Sequence, residues 1–131
     1  MAKTLHHIEI YVNDIEVSKA FWGWFLGELG YSLYQSFHKG VSFRLEDTYL
    51  VFVEVKAKYR QKGYNRCQIG LNHLAFHGES KEFIDLMTKS LQERGIHILY
   101  EDKHPHAGGK DSYGVFFEDP DRIKVEITLD E

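Results

Sequence analysis

The sequence holds a single cysteine, Cys67, among its 131 residues. One thiol cannot close an internal disulfide, so the disulfide-stapled secreted scaffolds are excluded and a reducing, cytoplasmic setting is expected. Nothing local marks Cys67 as an activated nucleophile. Surplus positive charge is missing too. Sixteen Lys and Arg stand against twenty Asp and Glu, a net charge of −4, which gives no electrostatic reason to expect nucleic acid or an anionic membrane as partner. Long apolar runs are also absent: no segment approaches a membrane-spanning length, and "MAKTLHHIEIYV" lacks the continuous apolar stretch of a signal peptide. Core material, by contrast, is plentiful. With 43% hydrophobic and 15% aromatic residues, the chain has enough to fill one compact domain or two half-domains sharing a core.

The chain reads twice. With His7 placed on His73, Leu5 falls on Leu71, Ile8 on Leu74 and Ile10 on Phe76. A helix follows each of these strands. The first is expected over 16–29, with Phe21, Phe25 and Leu29 in one stripe. The second runs from an N-cap at Ser80 to about Arg94, with Phe83, Met87 and Leu91 in its stripe. Gly30 and Gly95 stop them. Each half then closes with an extended segment and two strands joined by an acidic turn, "VSFRLEDTYLVFVEV" and "YGVFFEDPDRIKVEIT". Aligning the Glu-Asp pairs without a gap sets Val51 on Ile123, Val53 on Val125 and Glu54 on Glu126. The repeat is β-α-β-β-β, with a joint near 60–68.

Alternation along the strands sorts the side chains. Ile8, Ile10 and Val12 should pack on the helix, which turns His7, Glu9 and Tyr11 the other way. His73 stands opposite Leu74 and Phe76, and Lys124, Glu126 and Thr128 lie opposite Ile123, Val125 and Ile127. Glu54 shares its face with Leu50 and Phe52, where a lone carboxylate is costly unless a cation meets it. Two imidazoles and one or two carboxylates suit a divalent ion of the zinc, nickel, cobalt or manganese type. The expected metal ligands are therefore His7, Glu54, His73 and Glu126, in a centre with coordination sites left open for solvent or substrate.

"LHHIEIYVNDIE", "LNHLAFHG" and "FFEDPDRIKVEI" resemble the signature strands of the vicinal oxygen chelate superfamily, which includes glyoxalase I, the fosfomycin resistance enzymes, extradiol dioxygenases and bleomycin resistance proteins. The resemblance covers essentially the whole chain. It implies an α+β fold of two tandem β-α-β-β-β modules, about 1–62 and 68–131, whose mixed sheets curve into an open barrel around a metal site. It sets His7, His73 and Glu126 on the metal-binding positions and Glu54 on the fourth ligand position used in glyoxalase I. It also implies a homodimer.

The reaction it implies is isomerase or lyase chemistry of the glyoxalase kind. A metal would act as Lewis acid on neighbouring substrate oxygens, and Glu54, Glu126 or Glu9 would move a proton. Glu54 and Glu126, set beside apolar walls, are expected to have raised pKa values. The residues also depart from the family's patterns. Tyr11 stands where bacterial glyoxalase I carries an arginine for glutathione, so a thiol cosubstrate need not be glutathione. Glu9 replaces the threonine typical of fosfomycin thiol transferases, which also usually lack a glutamate at the Glu54 place. Arg122 replaces the glycine of the common "DPDG" turn. Substrate contacts are expected from Tyr11, from Tyr64 and Arg66 at the joint, and from His104, His106, Lys110 and Tyr113 around the Gly-Gly pair of "EDKHPHAGGKDSYG". The other histidines, His6, His38, His77 and His97, read as structural or solvated, and Trp22 and Trp24 as packing. The rival readings are a fosfomycin-resistance-type thiol transferase or hydrolase and a metal-free drug-binding protein.

Overall fold

The computed structural model describes residues 4–130. They fall into two compact units that meet in the chain at Gly63 and Tyr64, and both units have the same plan. In the first, β1 (His7–Val12) leads through α1 (Ile15–Glu28) to β2 (Ser32–Phe37), β3 (Gly40–Leu45) and β4 (Thr48–Glu54). The sheet order is β1-β4-β3-β2, with β1 parallel to β4 and the other pairs antiparallel. In the second, β5 (Leu74–Gly78) leads through α2 (Lys81–Glu93) to β6 (Ile98–Leu99), β7 (Gly114–Glu118) and β8 (Lys124–Leu129). Its order is β5-β8-β7-β6, again with one parallel pair at β5 and β8. A parallel pair needs a crossover, and the helix of each unit supplies it.

The helices start and stop where the sequence signals them. Asp14 caps α1 by accepting from the N–H groups of Glu16 and Val17 at 3.0 and 3.4 Å, and Ser80 caps α2 by accepting from Phe83 N–H at 3.0 Å. Gly30 and Gly95 end the two helices at φ +98° and +74°, backbone angles that a side chain would strain. On the apolar side of α1, Trp22, Phe25 and Leu26 are fully buried, and the Trp22 ring stacks on Phe52 of β4 with centroids 4.8 Å apart. α2 buries Ile84, Met87 and Leu91, while Phe83 of the expected stripe is only half-buried. Each such side chain contributes about 1.5–3 kcal/mol, so the helix-facing sides of the two sheets carry the stability.

The two closing hairpins differ in a way the gapless alignment conceals. In the first unit Leu45 pairs with Thr48, so two residues make the turn. In the second, Glu118 pairs with Lys124 and five residues make it. Asp119 holds that longer turn, its Oδ1 accepting from the N–H groups of Asp121 and Ile123, both at 2.8 Å. The three extra residues shift the register. Ile8 pairs with Leu50 and Leu74 with Val125, so Tyr49 is the counterpart of Lys124 and Val51 the counterpart of Glu126. Glu54 is not. Lying four residues beyond Leu50 on an unbroken strand, it shares the helix-facing side with Leu50 and Phe52.

Candidate metal and substrate site

In the second unit, β8 and the residue just before β5 bring two expected ligands together. Glu126 Oε1 lies 3.1 Å from His73 Nε2, with the two side chains 14% and 30% exposed. His73 Nδ1 lies 2.7 Å from Asn72 Oδ1, so Asn72 fixes the tautomer with the proton on Nδ1 and turns the Nε2 lone pair toward the carboxylate. A lone pair facing a carboxylate is repulsive unless a proton or a metal ion sits between them. The spacing suits two ligands on one ion at about 2.1 Å each, and the donor chemistry of this pair therefore fits a divalent metal. Among the described residues no group of three or more His, Cys, Asp or Glu side chains is gathered around one point.

Around the pair, Phe116 is directly across from Glu126, and its ring centroid is 5.7 Å from that of His73. The loop before β7 also comes close: a Cβ built on Gly108 would stand 3.4 Å from Glu126 Oε2 and 3.0 Å from Ser112 Oγ. Gly108, Lys110, Ser112 and Thr128 line a hollow of about 350 Å³ there.

In the first unit His7 occupies the place matching His73, on the side away from α1. Its ring stacks on Tyr49 at 4.8 Å with only 4° between planes, and its Nδ1 lies 2.8 Å from His6 Nδ1. His6 is thus more than a solvated neighbour: one of the two rings donates to the other. Glu9 and Tyr11 follow on the same side, both exposed.

Glu54 is the expectation that the geometry overturns. Its Oε2 lies 2.7 Å from Lys39 Nζ and 3.7 Å from Arg60, and its Oε1 accepts from the Ile15 N–H at 3.2 Å. The hydrogen bond from Lys39, then that from Ile15, hold its carboxyl below the ordinary glutamate range, the reverse of the raised pKa expected of a proton-shuttling base. A carboxylate that anchors the start of α1 from the helix side cannot share an ion with His7, which points to the other side of the same sheet.

Several expected substrate contacts are likewise committed elsewhere. Arg66 Nη1 pairs with Glu118 at 2.5 Å and donates to the Arg122 carbonyl at 3.1 Å, which binds the segment before β5 to the closing hairpin. Tyr64 donates its hydroxyl to the Leu71 carbonyl at 2.7 Å. His106 Nδ1 donates to the Ser112 carbonyl at 2.6 Å. Tyr113 donates to Asp85 of α2; that hydrogen bond pushes its phenol up. His104 is half-buried, and Lys110 is exposed at the hollow. Asp85 escaped the sequence reading because nothing in an exposed helical carboxylate foretells a tyrosine twenty-eight residues away. Lys124 was placed on the side of Glu126 by alternation, but its aromatic neighbour Tyr100 had no signal.

The model of the Glyoxalase/Bleomycin resistance protein/Dioxygenase superfamily matches residues 4–127, and the chain belongs to that family. An uncharacterized Bacillus subtilis protein, YqjT, is 54% identical over 124 residues, spanning 95% of this chain and 97% of its own. The crystal structure of a glyoxalase candidate from Bacillus halodurans superposes with a TM-score of 0.95 at 54% identity, over 96% of this chain and 95% of that one. The fosfomycin resistance protein FosX from Listeria monocytogenes, solved with Mn(II) and 1S,2S-dihydroxypropylphosphonic acid, shares the fold with a TM-score of 0.69 at 21% identity, over 98% of this chain and 90% of that one. The glyoxalase-like fold of paired β-α-β-β-β modules is thereby established. No helix among the described residues is long and apolar enough to cross a membrane.

Proposed function

We propose that the protein is a divalent-metal-dependent enzyme of the glyoxalase kind, an isomerase or lyase acting in the cytoplasm, as a homodimer, on a small oxygen-rich or thiol-adduct substrate. The observation that carries the reading is the His73–Glu126 contact, with the imidazole fixed by Asn72 and its other nitrogen aimed at a carboxylate. His7, His73 and Glu126 are the ligands in this reading, and Glu54 is left out of the set. Held by these residues, a divalent ion of the zinc, nickel, cobalt or manganese type would supply Lewis acidity toward neighbouring substrate oxygens. Glu126 orients the imidazole and balances charge. Glu9, exposed beside His7 on the far side of its sheet, is the carboxylate left to move a proton between adjacent carbons. Phe116 walls the pair on one side.

One observation favours a second reading within the same family. Val51, not a glutamate, is the counterpart of Glu126 in the first unit, and a three-ligand set is the pattern of the fosfomycin resistance enzymes. Elemental analysis of protein purified without chelators, followed by assays of the metal-reconstituted protein with hemithioacetals of several thiols and with fosfomycin, separates the two. Bound metal lost in His73→Ala and turnover of a hemithioacetal are expected. Turnover of fosfomycin alone selects the second reading. Absence of tight metal uptake refutes both and leaves a metal-free binding protein, and unchanged metal in His73→Ala refutes the ligand set.

A further inference from the structure

Lys124 lies on the same side of β8 as Glu126, and its cross-strand neighbour Glu118 is taken by Arg66 and Arg122. Among the described residues no carboxylate stands at ion-pair distance from the Lys124 ammonium. It is held by aromatic groups instead. Nζ lies 3.2 Å from the Tyr100 hydroxyl, 5.5 Å from that ring's centroid and 5.8 Å from the Phe116 centroid. Tyr100 itself is held with φ at +56°, a left-handed conformation that a tyrosine rarely adopts. Its ring meets Phe116 edge-on at 5.4 Å. Phe116 thus touches Lys124, Tyr100 and His73 and pairs with Glu126, so the cation, the phenol and the candidate ligands form one continuous patch on one sheet.

An ammonium has three donors, and Tyr100 takes one. A positive charge held over two rings beside a metal-ligating pair, with no counter-ion of its own, is arranged for a substrate anion. One ammonium and one phenol hydroxyl offer donors that suit the two oxygens of a carboxylate, and the third oxygen and second charge of a phosphonate find no partner of their own in that pair. We propose that Lys124, positioned by Tyr100 and Phe116, selects substrates of one class for the His73–Glu126 site: small carboxylates that carry a hydroxyl or carbonyl oxygen on the adjacent carbon. This rests on the metal reading above and deepens it.

The test titrates glycolate, its neutral amide glycolamide, and hydroxymethylphosphonate into the full-length protein, metal-loaded and chelator-treated, followed by NMR. Wild type is expected to bind glycolate at least tenfold more tightly than glycolamide. Lys124→Met should erase that preference in chelator-treated protein and cut it at least fivefold in metal-loaded protein, with metal content and melting temperature unchanged, and Lys124→Arg should keep it. Tyr100→Phe should weaken the preference, since the phenol steadies the ammonium. A preference undiminished in Lys124→Met, or surviving there in chelator-treated protein, no preference in wild type, or tighter binding of the phosphonate than of glycolate overturns the assignment. Metal content in wild type and His73→Ala tests the metal reading separately. A Lys124-dependent glycolate preference in protein that takes up no metal refutes the metal and sustains the carboxylate subsite.

Discussion

Replacing Arg66 by leucine distinguishes a structural cation from a substrate-binding one. Arg66 and Glu118 are 19% and 12% exposed and pair at 2.5 Å, and the same guanidinium donates to the Arg122 carbonyl. Breaking a fully buried pair costs about 3–5 kcal/mol, and breaking an exposed one about 0–1 kcal/mol. Glu118 falls between these limits and keeps a second partner, Arg122 Nε at 3.3 Å. The expected loss is therefore about 1–2 kcal/mol. For a chain of this length that corresponds to a melting temperature lower by about 4–8 °C.

The pH dependence gives a second check on the same variant. Burial pushes the Glu118 carboxyl up, but the hydrogen bonds and charges of Arg66 and Arg122 outweigh it and hold the group below the ordinary range. A carboxyl lowered in the folded state contributes stability above its unfolded pKa and loses it as pH falls through the folded value. Wild type and Arg66→Leu should thus differ at neutral pH and converge in acid. Melts from pH 7 to pH 3, with glycolate titrations at pH 7, decide the matter. An unchanged melting temperature with a tenfold weaker affinity for glycolate would refute the reasoning and restore Arg66 as a ligand contact.

Glu54→Gln should leave metal content at the wild-type level while lowering the melting temperature at pH 7; its carboxyl is lowered, so the difference should fade on acidification through the folded pKa, and metal loss in this variant would reinstate Glu54 as a ligand. Tyr113→Phe should remove a tyrosine that titrates late in an absorbance titration; a phenol raised in the fold adds stability present below its unfolded pKa and lost as pH climbs through the folded one, so variant and wild type should converge in strong alkali. Gly114→Ala should cost about 3 kcal/mol or more, because a Cβ there would lie 2.4 Å from the Ile127 carbonyl oxygen, and a urea midpoint equal to wild type would contradict that contact.

The parts of the fold legible in the sequence are those written by period and punctuation. Alternation put Ile8, Ile10 and Val12 on one side and His7 and Glu9 on the other, and the strand does the same. Ser80, Gly30 and Gly95 mark helix ends because the unmet backbone groups there have few other solutions. The side of the sheet that holds Glu54 was legible from Leu50 and Phe52, but its match with Glu126 misled, because an insertion in a turn leaves the periodicity of each flanking strand intact. Glu46-Asp47 and Glu118-Asp119 look alike, yet one pair spans a two-residue turn and the other opens a five-residue one. A shift of three is odd, and an odd shift in a period of two moves a side chain to the opposite side of the sheet. The partners of Arg66, Tyr64 and Tyr113 were illegible for another reason: polar side chains in loops find acceptors across the fold, and spacing carries no record of them.

That register shift also changes what the two halves can offer chemically. In the second unit the far side of the sheet presents His73, Lys124, Glu126 and Phe116, a donor pair with a cation and an aromatic wall. In the first unit the matching places hold His7, Tyr49 and Val51. A valine cannot ligate, and a tyrosine stacked flat on the imidazole orients the ring without supplying charge. The duplicated scaffold therefore repeats its histidine and not its carboxylate. Once Glu54 is assigned to the helix side, Glu9 is the one carboxylate that β1 and β4 keep on the far side, and a metal centre that uses His73 draws its anionic ligand from Glu126 of β8, so metal content should fall in Glu126→Gln and persist in Glu9→Gln.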